Sequence, residues 1–437
     1  MNAMNPNSSA SSSSSTGSAE SPFGAAQYDV VVIGGGPAGS TTATLTAKAG
    51  LSTLLLERDR FPRFKIGESL MPECWSTLER LGMIDQLKSS RFVEKHSVQF
   101  VSSSGKESDP FFFAESDVID HPQTWQVVRE EFDTMLFDNA VAHGAEAHQE
   151  VGVREVLFDG DRAVGVKTRS RDGESYEIGA RVVVDASGQN ALMARRLKLQ
   201  EDDPKLRNAS IFTHFKGGHR DEGLNEGATV VLHTQRGESW FWYIPLPDDV
   251  VSVGVVGPLD YLVKGRSGTP QEIFDEEVAL CAGIQRRIAG AEQMEPPKVL
   301  RDFTYRSRQR AGDGWVLVGD AFGFVDPLYS SGVFLALKSG EMAADAIVDS
   351  FEADDLSATR LGAFNGEFLK GMEAVRKLVY AFYDQDFSIA RFLKQHPDQR
   401  ENVVHVLVGN VFRPNLDPLF EPMAAMTHLP EAWVDAS

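Results

Sequence analysis

Asp29-Val30-Val31-Val32-Ile33-Gly34-Gly35-Gly36-Pro37-Ala38-Gly39 is the stretch that decides the fold. An apolar run of strand length meets a glycine-rich turn, Ser40 to Ala49 then reads as a helix, and Thr53 to Glu57 reads as a second strand. The pattern is a βαβ unit. Gly34 allows the tight turn, Gly36 lets a pyrophosphate approach the amides at the helix N-terminus, and Gly39 permits close helix–strand packing. Ala38 lies within the same phosphate-facing turn. Glu57 ends the second strand, where a carboxylate accepts hydrogen bonds from ribose hydroxyls. A glycine triplet alone would be an ordinary turn. Strand before, helix after and acid beyond point to a dinucleotide site of the Rossmann-like α/β class.

Outward from this unit, the composition narrows the partners. The 63 acidic against 43 basic residues give a formal charge of −20, which disfavours nucleic acid and anionic membranes. With only Cys74 and Cys281, neither a disulfide framework nor a Cys-rich metal site is expected, and a reducing cytoplasm fits. No apolar run has the length of a spanning helix. Residues 1–26, with Ser8 to Ser15 of low complexity, are expected to be a disordered tail without the apolar core of a signal peptide.

Residues 27–350 are expected to interleave two units: a nucleotide-binding domain (mainly 27–97, 125–200 and 301–350) and a β-rich substrate domain (mainly 98–124 and 201–300). Alternation in Val98 to Ser104, Gly152 to Thr168 and Ala228 to Thr234 supports the β-rich pattern, with strands also at Trp240 to Ile244 and Val250 to Val256. Residues 351–437 read as a helical cap. Its aromatics Phe368, Tyr380, Phe382, Tyr383 and Phe387 are core by default.

Four further stretches resemble the FAD-dependent aromatic-hydroxylase superfamily. Trp315-Val316-Leu317-Val318-Gly319-Asp320-Ala321 resembles the segment whose aspartate contacts the ribityl chain, which favours FAD over NAD. Arg181 to Gly188 resembles its Asp-Ala-Ser-Gly strand end, although a plain turn with Gly188 at positive φ fits equally. Arg60 to Leu70 resembles its P-R-x-x-x-G-E-S-L stretch, and Val127 to Asp133 its R-x-x-F-D helix start. The resemblance implies cofactor contacts from Ser69, Arg129 and Asp320; Arg129 is alternatively a solvated or ion-paired helix residue.

Within that superfamily the chain resembles the flavin-dependent halogenases, in the branch that acts on phenols or pyrroles. Trp240-Phe241-Trp242-Tyr243-Ile244-Pro245 is similar to their tunnel segment: Trp240, Trp242 and Ile244 alternate onto one strand face, though alternating indoles also serve plain packing. Phe324-Val325-Asp326-Pro327-Leu328-Tyr329-Ser330-Ser331-Gly332 resembles their F-x-x-P-x-x-S-x-G loop, which implies halide at Ser331 and Gly332, flavin contacts at Gly332 and Val333, and tunnel positions at Phe324, Pro327 and Ser330. Ser330 is otherwise a plain helix N-cap. Phe92-Val93-Glu94-Lys95-His96 resembles the segment bearing their lysine, which implies Lys95 as the group that holds or reacts with hypohalous acid, with Lys65 second.

The resemblance implies an FADH2-dependent oxidoreductase in which a separate NADH-dependent reductase supplies reduced FAD, dioxygen oxidises chloride or bromide to hypohalous acid, and Lys95 delivers the halogen to an electron-rich ring. Tryptophan-acting members resemble one another in a glutamate directly before the serine of the halide loop, where this chain has Tyr329. That departure favours a phenol or a pyrrole, free or tethered to a carrier protein. The run Phe111-Phe112-Phe113 would line such a pocket or, if exposed, form a docking patch. The competing expectations are an aromatic monooxygenase, a prenyl-chain reductase and a flavin-binding protein without turnover. Against the first, Gly323 stands where hydroxylases usually place histidine after Gly-Asp-Ala.

Overall fold

The computed structural model describes residues 22–115, 119–301 and 303–433. The first sheet runs Ala311–Gly312, Trp315–Leu317, Ser175–Asp185, Gln27–Ile33, Thr53–Leu56, Glu146–His148. Its centre is parallel, with Val30 to Ile33 registered between Val182 to Asp185 and Thr53 to Leu56. Val30, Val31 and Val32 are wholly buried, because every side chain of a central parallel strand meets a packed layer. The expected helix begins three residues early, at Pro37, whose fixed φ suits a first helical position. It crosses the long helix Ser331–Glu352 so closely that a Cβ on Gly340 would stand 2.4 Å from the Ala38 carbonyl oxygen.

The second sheet holds ten strands, with Gln200–Lys216, Val250–Pro258, Trp240–Leu246, Thr229–His233 and Ser97–Val101 in sequence across it. The Trp240–Leu246 strand splits its side chains as alternation requires. Phe241 and Tyr243 enter a core with Phe274 and Val253, while Trp240, Trp242 and Ile244 face the main cavity. A two-stranded ribbon, Val93–Lys95 with Thr124–Gln126, carries Lys95 opposite Thr124.

Two expectations are corrected here. The strands covering 152–168 are a hairpin, Val151–Asp159 with Arg162–Ser170, that pairs with Ser175–Asp185 and so extends the first sheet, not the second. Local alternation reports a half-buried face but not which sheet the strand joins. Order also begins before residue 27: Phe23 is buried and packs edge-on against His148 and Tyr176, and the Gly24 amide donates to Glu146. The rest of the serine-rich tail, residues 1–21, lies outside the described residues.

The C-terminal segment is helical, with Asn365–Tyr383, Ile389–Gln395, Arg400–Val408 and Asp417–Ala424. A buried ion cluster fastens it to the second sheet, with Arg376 donating to Asp203 at 2.8 Å and to Glu373 at 2.9 Å. None of its residues lines the main cavity, so it backs the site and does not cap it. Among the described residues no helix is long and apolar enough to cross a membrane.

Candidate active site

One cavity of about 1150 Å³ runs between the two sheets. It is large for a ligand site, where ~300–1,000 Å³ is usual. Gly34, Gly36, Ala38 and Glu57 line it, as do Asp320, Arg129, Lys65 and Ser69; Trp240, Trp242, Ile244, Phe324, Pro327, Ser330, Gly332 and Val333 belong to the same wall. Segments scattered across the sequence thus converge on one space.

The nucleotide end fits FAD. Gly34 has φ of 106°, and a Cβ there would stand 2.4 Å from the Ala186 carbonyl oxygen, so only glycine makes the turn. On Gly36 a Cβ would meet nothing nearer than the Arg63 guanidinium at 3.7 Å, which leaves its backbone open to a diphosphate. Gly39 serves packing, as its Cβ would fall 1.9 Å from the Gly34 carbonyl oxygen. Glu57 is buried; it accepts the Gly35 amide at 2.9 Å through one oxygen and the Asp59 amide at 2.9 Å through the other. These bonds fix the carboxylate at the cavity wall.

The two motif residues of the Arg129–Ala142 helix bind one another. Arg129 grips Asp133 through Nε at 2.8 Å and Nη2 at 3.0 Å, and its Nη1 donates to the Ile66 carbonyl at 2.6 Å. Arg63 joins the same carboxylate at 2.9 Å, a partner that no motif singles out. Arg129 is therefore both ion-paired and part of the cavity wall. Asp320 is pushed up to about 6 by burial, against the opposing pull of Arg129 and Lys65. Ala186, Ser187 and Gly188 also line the cavity, with Gly188 at φ of 64° as a turn requires. Asp185 instead braces the backbone, accepting the amides of Ser187 and Met193.

The loop before the long helix leaves the helix start without a side-chain cap. Ser330 has φ of 59° and makes no side-chain cap, so the N-cap alternative fails. The first amides of Ser331–Glu352 therefore lack a capping side chain, at the positive end of a 22-residue helix. Gly332 and Val333 of this turn line the cavity. Ser331 is wholly buried beside them, and its Oγ has no hydrogen-bond partner among the described residues. Tyr329 turns away toward the C-terminal helices, its ring edge-on to Phe382 and its hydroxyl donating to the Leu378 carbonyl at 3.4 Å.

Trp240 and Trp242 are each held by their indole N–H. Trp242 donates to Ser252 Oγ at 3.1 Å, and Trp240 to Tyr383 Oη at 2.8 Å. Behind Trp240 lies a network missed from the sequence: Asp326 accepts from Asn208 Nδ2 at 2.5 Å and from Tyr383 Oη at 3.1 Å.

Lys95 does not line the cavity; it lies behind the wall. It is 2% exposed, and Nζ donates to Ser69 Oγ at 2.8 Å and to the Leu70 carbonyl at 3.0 Å. Ser69 in turn pairs with Thr229 Oγ1 at 2.8 Å, and both hydroxyl residues face the cavity. Burial pushes the lysine down to about 7. Phe113 lies 5.7 Å from Nζ, whereas Phe111 and Phe112 form a short, half-buried edge strand; none of the three lines the cavity. Lys65 does line it, and burial and Arg63 lower its pKa.

Comparison with known proteins identifies the family. Residues 27–346 match the FAD binding domain family. The chain is 34% identical over 387 residues to a 1H-pyrrole-2-carbonyl peptidyl-carrier-protein brominase of Pseudoalteromonas luteoviolacea, covering 88% of this chain and 92% of the relative. It is 31% identical to the corresponding chlorinase of Pseudomonas fluorescens, covering 92% and 95%. Among solved structures, a flavin-dependent brominase superposes with a TM-score of 0.80 at 31% identity, covering 91% of this chain and 98% of its own. The myxobacterial chondrochloren halogenase gives 0.77 at 30%, covering 90% and 92%. The chain belongs to the FAD binding domain family and, within it, to the flavin-dependent halogenases, oxidoreductases that work with FAD and a halide.

Proposed function

We propose that this halogenase acts on a pyrrole ring held as a thioester on a carrier protein, with Lys95 as the residue that delivers the halogen. The observation that carries the proposal is the setting of Lys95: an amine lowered to about 7 by burial, whose partners are Ser69, Leu70 and the Phe113 ring, with no carboxylate among them. Tyr329, at the position of the tryptophan-acting enzymes' glutamate, points away to Leu378. Without a carboxylate to accept a ring proton, the substrate must be activated by its own electrons, as pyrrole is by its ring nitrogen. The brominase and chlorinase relatives are named for pyrrolyl carrier-protein substrates.

Gly34, Gly36, Ala38, Glu57, Arg129 and Asp320 would hold FAD, and Gly332 and Val333 would meet its flavin end, while Gly39 packs the turn and Ser69 gives its hydroxyl to Lys95. When bound and reduced by a separate NADH-dependent reductase, FAD supplies with dioxygen the two-electron oxidation of halide to hypohalous acid. The amides at Ser331 and Gly332 hold chloride or bromide without a metal, since a helix N-terminus stabilises an anion. Trp240 and Trp242 wall the passage and keep the organic substrate from the flavin end. At Lys95 the neutral amine accepts the halogen from hypohalous acid with loss of water, or the ammonium donates a hydrogen bond to its oxygen.

Incubation with a flavin reductase, NADH, FAD and either bromide or chloride tests the proposal, with pyrrolyl carrier protein offered beside free phenols, pyrroles and indoles. Mass spectrometry should find halogen on the carrier-bound pyrrole. Faster halogenation of a free phenol would overturn the substrate assignment, and oxygenation without halide would overturn the halogen chemistry.

A further inference from the structure

Between Lys95 and the cavity stand two hydrogen-bonded hydroxyls, Ser69 and Thr229, and both residues line the cavity. Lys95 Nζ lies 2.8 Å from Ser69 Oγ, Ser69 Oγ lies 2.8 Å from Thr229 Oγ1, and Thr229 faces the cavity. We propose that Ser69 and Thr229 form a proton wire that carries the proton between the Lys95 amine and the cavity; this rests on Lys95 being the residue that delivers the halogen.

Donor and acceptor counting supports the wire. Gln126 Nε2 donates to the Gly227 carbonyl at 2.8 Å, which fixes the amide orientation, and it also donates to Thr229 Oγ1 at 2.9 Å. Thr229 thus always accepts one bond from Gln126 and keeps its own proton and one lone pair for other partners. With Lys95 charged, Nζ–H donates to Ser69, Ser69 donates to Thr229, and the Thr229 proton is directed to the cavity. With Lys95 neutral, the chain reverses: Thr229 donates to Ser69 and Ser69 donates to the amine lone pair. Passing one proton outward breaks the Nζ–H bond, moves the Ser69 proton to Thr229, and releases the Thr229 proton to water or an anion in the cavity. Atoms and charge balance, and rotation of the two hydroxyls restores the start.

The lysine needs such a route. It is 2% exposed, its second acceptor is the Leu70 carbonyl, which cannot carry a proton onward, and its titratable neighbour Cys74, a thiol pushed up to about 12 by burial, makes no hydrogen bond to it. Ser69 is held in place by backbone pairing with Gln126, and Leu70 by the Trp125 carbonyl, so the ribbon sets Lys95 and Ser69 while the second sheet sets Thr229. Because burial brings the amine to about 7, both protonation states are populated at neutral pH, and each halogen transfer through a neutral amine requires the proton to leave and return.

The test compares Thr229→Val, Thr229→Ser, Ser69→Ala and Lys95→Met in the FAD-loaded enzyme across pH 6 to 9. Bound FAD, hypohalous acid trapped in solution and halogenated product are measured for each. Thr229→Val and Ser69→Ala should keep FAD and hypohalous acid formation, lose product by about tenfold, and lose the product's pH dependence near neutrality. Thr229→Ser, which keeps the hydroxyl, should restore both product and pH profile; a serine no better than valine would overturn the wire. A merely structural role would lower FAD binding together with product. Should Thr229→Val fail to hold FAD, Ser69→Ala decides. Wild-type product and profile in the hydroxyl-deleted variants, with Lys95→Met inactive, would refute the wire and leave the lysine assignment standing. Wild-type halogenation by Lys95→Met would overturn the assignment beneath it.

Discussion

Replacing Lys95 with methionine tests directly whether the amine is buried in its neutral form. Burial lowers it in the folded protein to about 7, while in an unfolded chain it titrates near ~10.4. Between those values the unfolded chain binds one proton more than the folded one, so stability rises with pH by ~1.4 kcal/mol per unit. The penalty is complete below pH 7 and gone above about pH 10.5. Its full size is ~5 kcal/mol. Methionine removes that penalty but strands Ser69 Oγ and the Leu70 carbonyl without their donor, at about 1–2 kcal/mol each. Those losses do not change with pH, whereas the titration does. Relative to wild type, the variant should therefore be favoured by ~3 kcal/mol more at pH 7 than at pH 9.5. Urea unfolding of both proteins with saturating FAD, followed by tryptophan fluorescence, reads the difference. An equal effect of the substitution at both pH values would refute a neutral buried amine.

Other perturbations separate the roles along the cavity. Gly36→Val should fold, because its Cβ meets only Arg63 at 3.7 Å, yet weaken FAD binding about 100-fold in a titration of flavin fluorescence. Gly39→Ala should instead yield little folded protein, as its Cβ would fall 1.9 Å from the Gly34 carbonyl oxygen. Asp320, raised to about 6, is ionised above that value; FAD affinity should fall as pH drops through it, and Asp320→Asn should abolish the dependence. Tyr383→Phe removes the acceptor of Trp240 Nε1 and one donor to Asp326, so it should cost about 1–2 kcal/mol of stability and increase the share of hypohalous acid escaping to solution.

The central strand, the glycine turn and the tunnel strand were legible because each is specified locally. Val30 to Val32 must be buried on both faces, Gly34 must adopt positive φ, and Trp240, Trp242 and Ile244 must share a face once the segment is a strand. What escaped reading depends on contacts between distant segments. Ser69 and Thr229 are 160 residues apart, and nothing in either neighbourhood announces that their hydroxyls meet. The 151–170 hairpin has the alternation of any half-buried ribbon, and only its pairing with Ser175–Asp185 assigns its sheet. Phe23 lies beside a serine-rich tail whose composition conceals one anchoring aromatic ring.

The network behind Trp240 explains how a segment outside the cavity governs what passes through it. Tyr383, near the end of the Asn365–Tyr383 helix, holds the Trp240 indole at 2.8 Å and bonds Asp326 of the halide loop at 3.1 Å. Asn208, from the central strand of the second sheet, secures the same aspartate. Burial raises Asp326 to about 6, so at neutral pH it is the carboxylate, an acceptor for Asn208 and Tyr383 together. One buried anion therefore ties the halide loop, the tunnel strand and the C-terminal helix to a common geometry. Displacing any of the three shifts the other two, since an unpaired buried carboxylate costs several kcal/mol, ~3–5 by analogy with broken buried pairs. The width of the passage at Trp240 is thus set together with the backbone proposed to receive the halide.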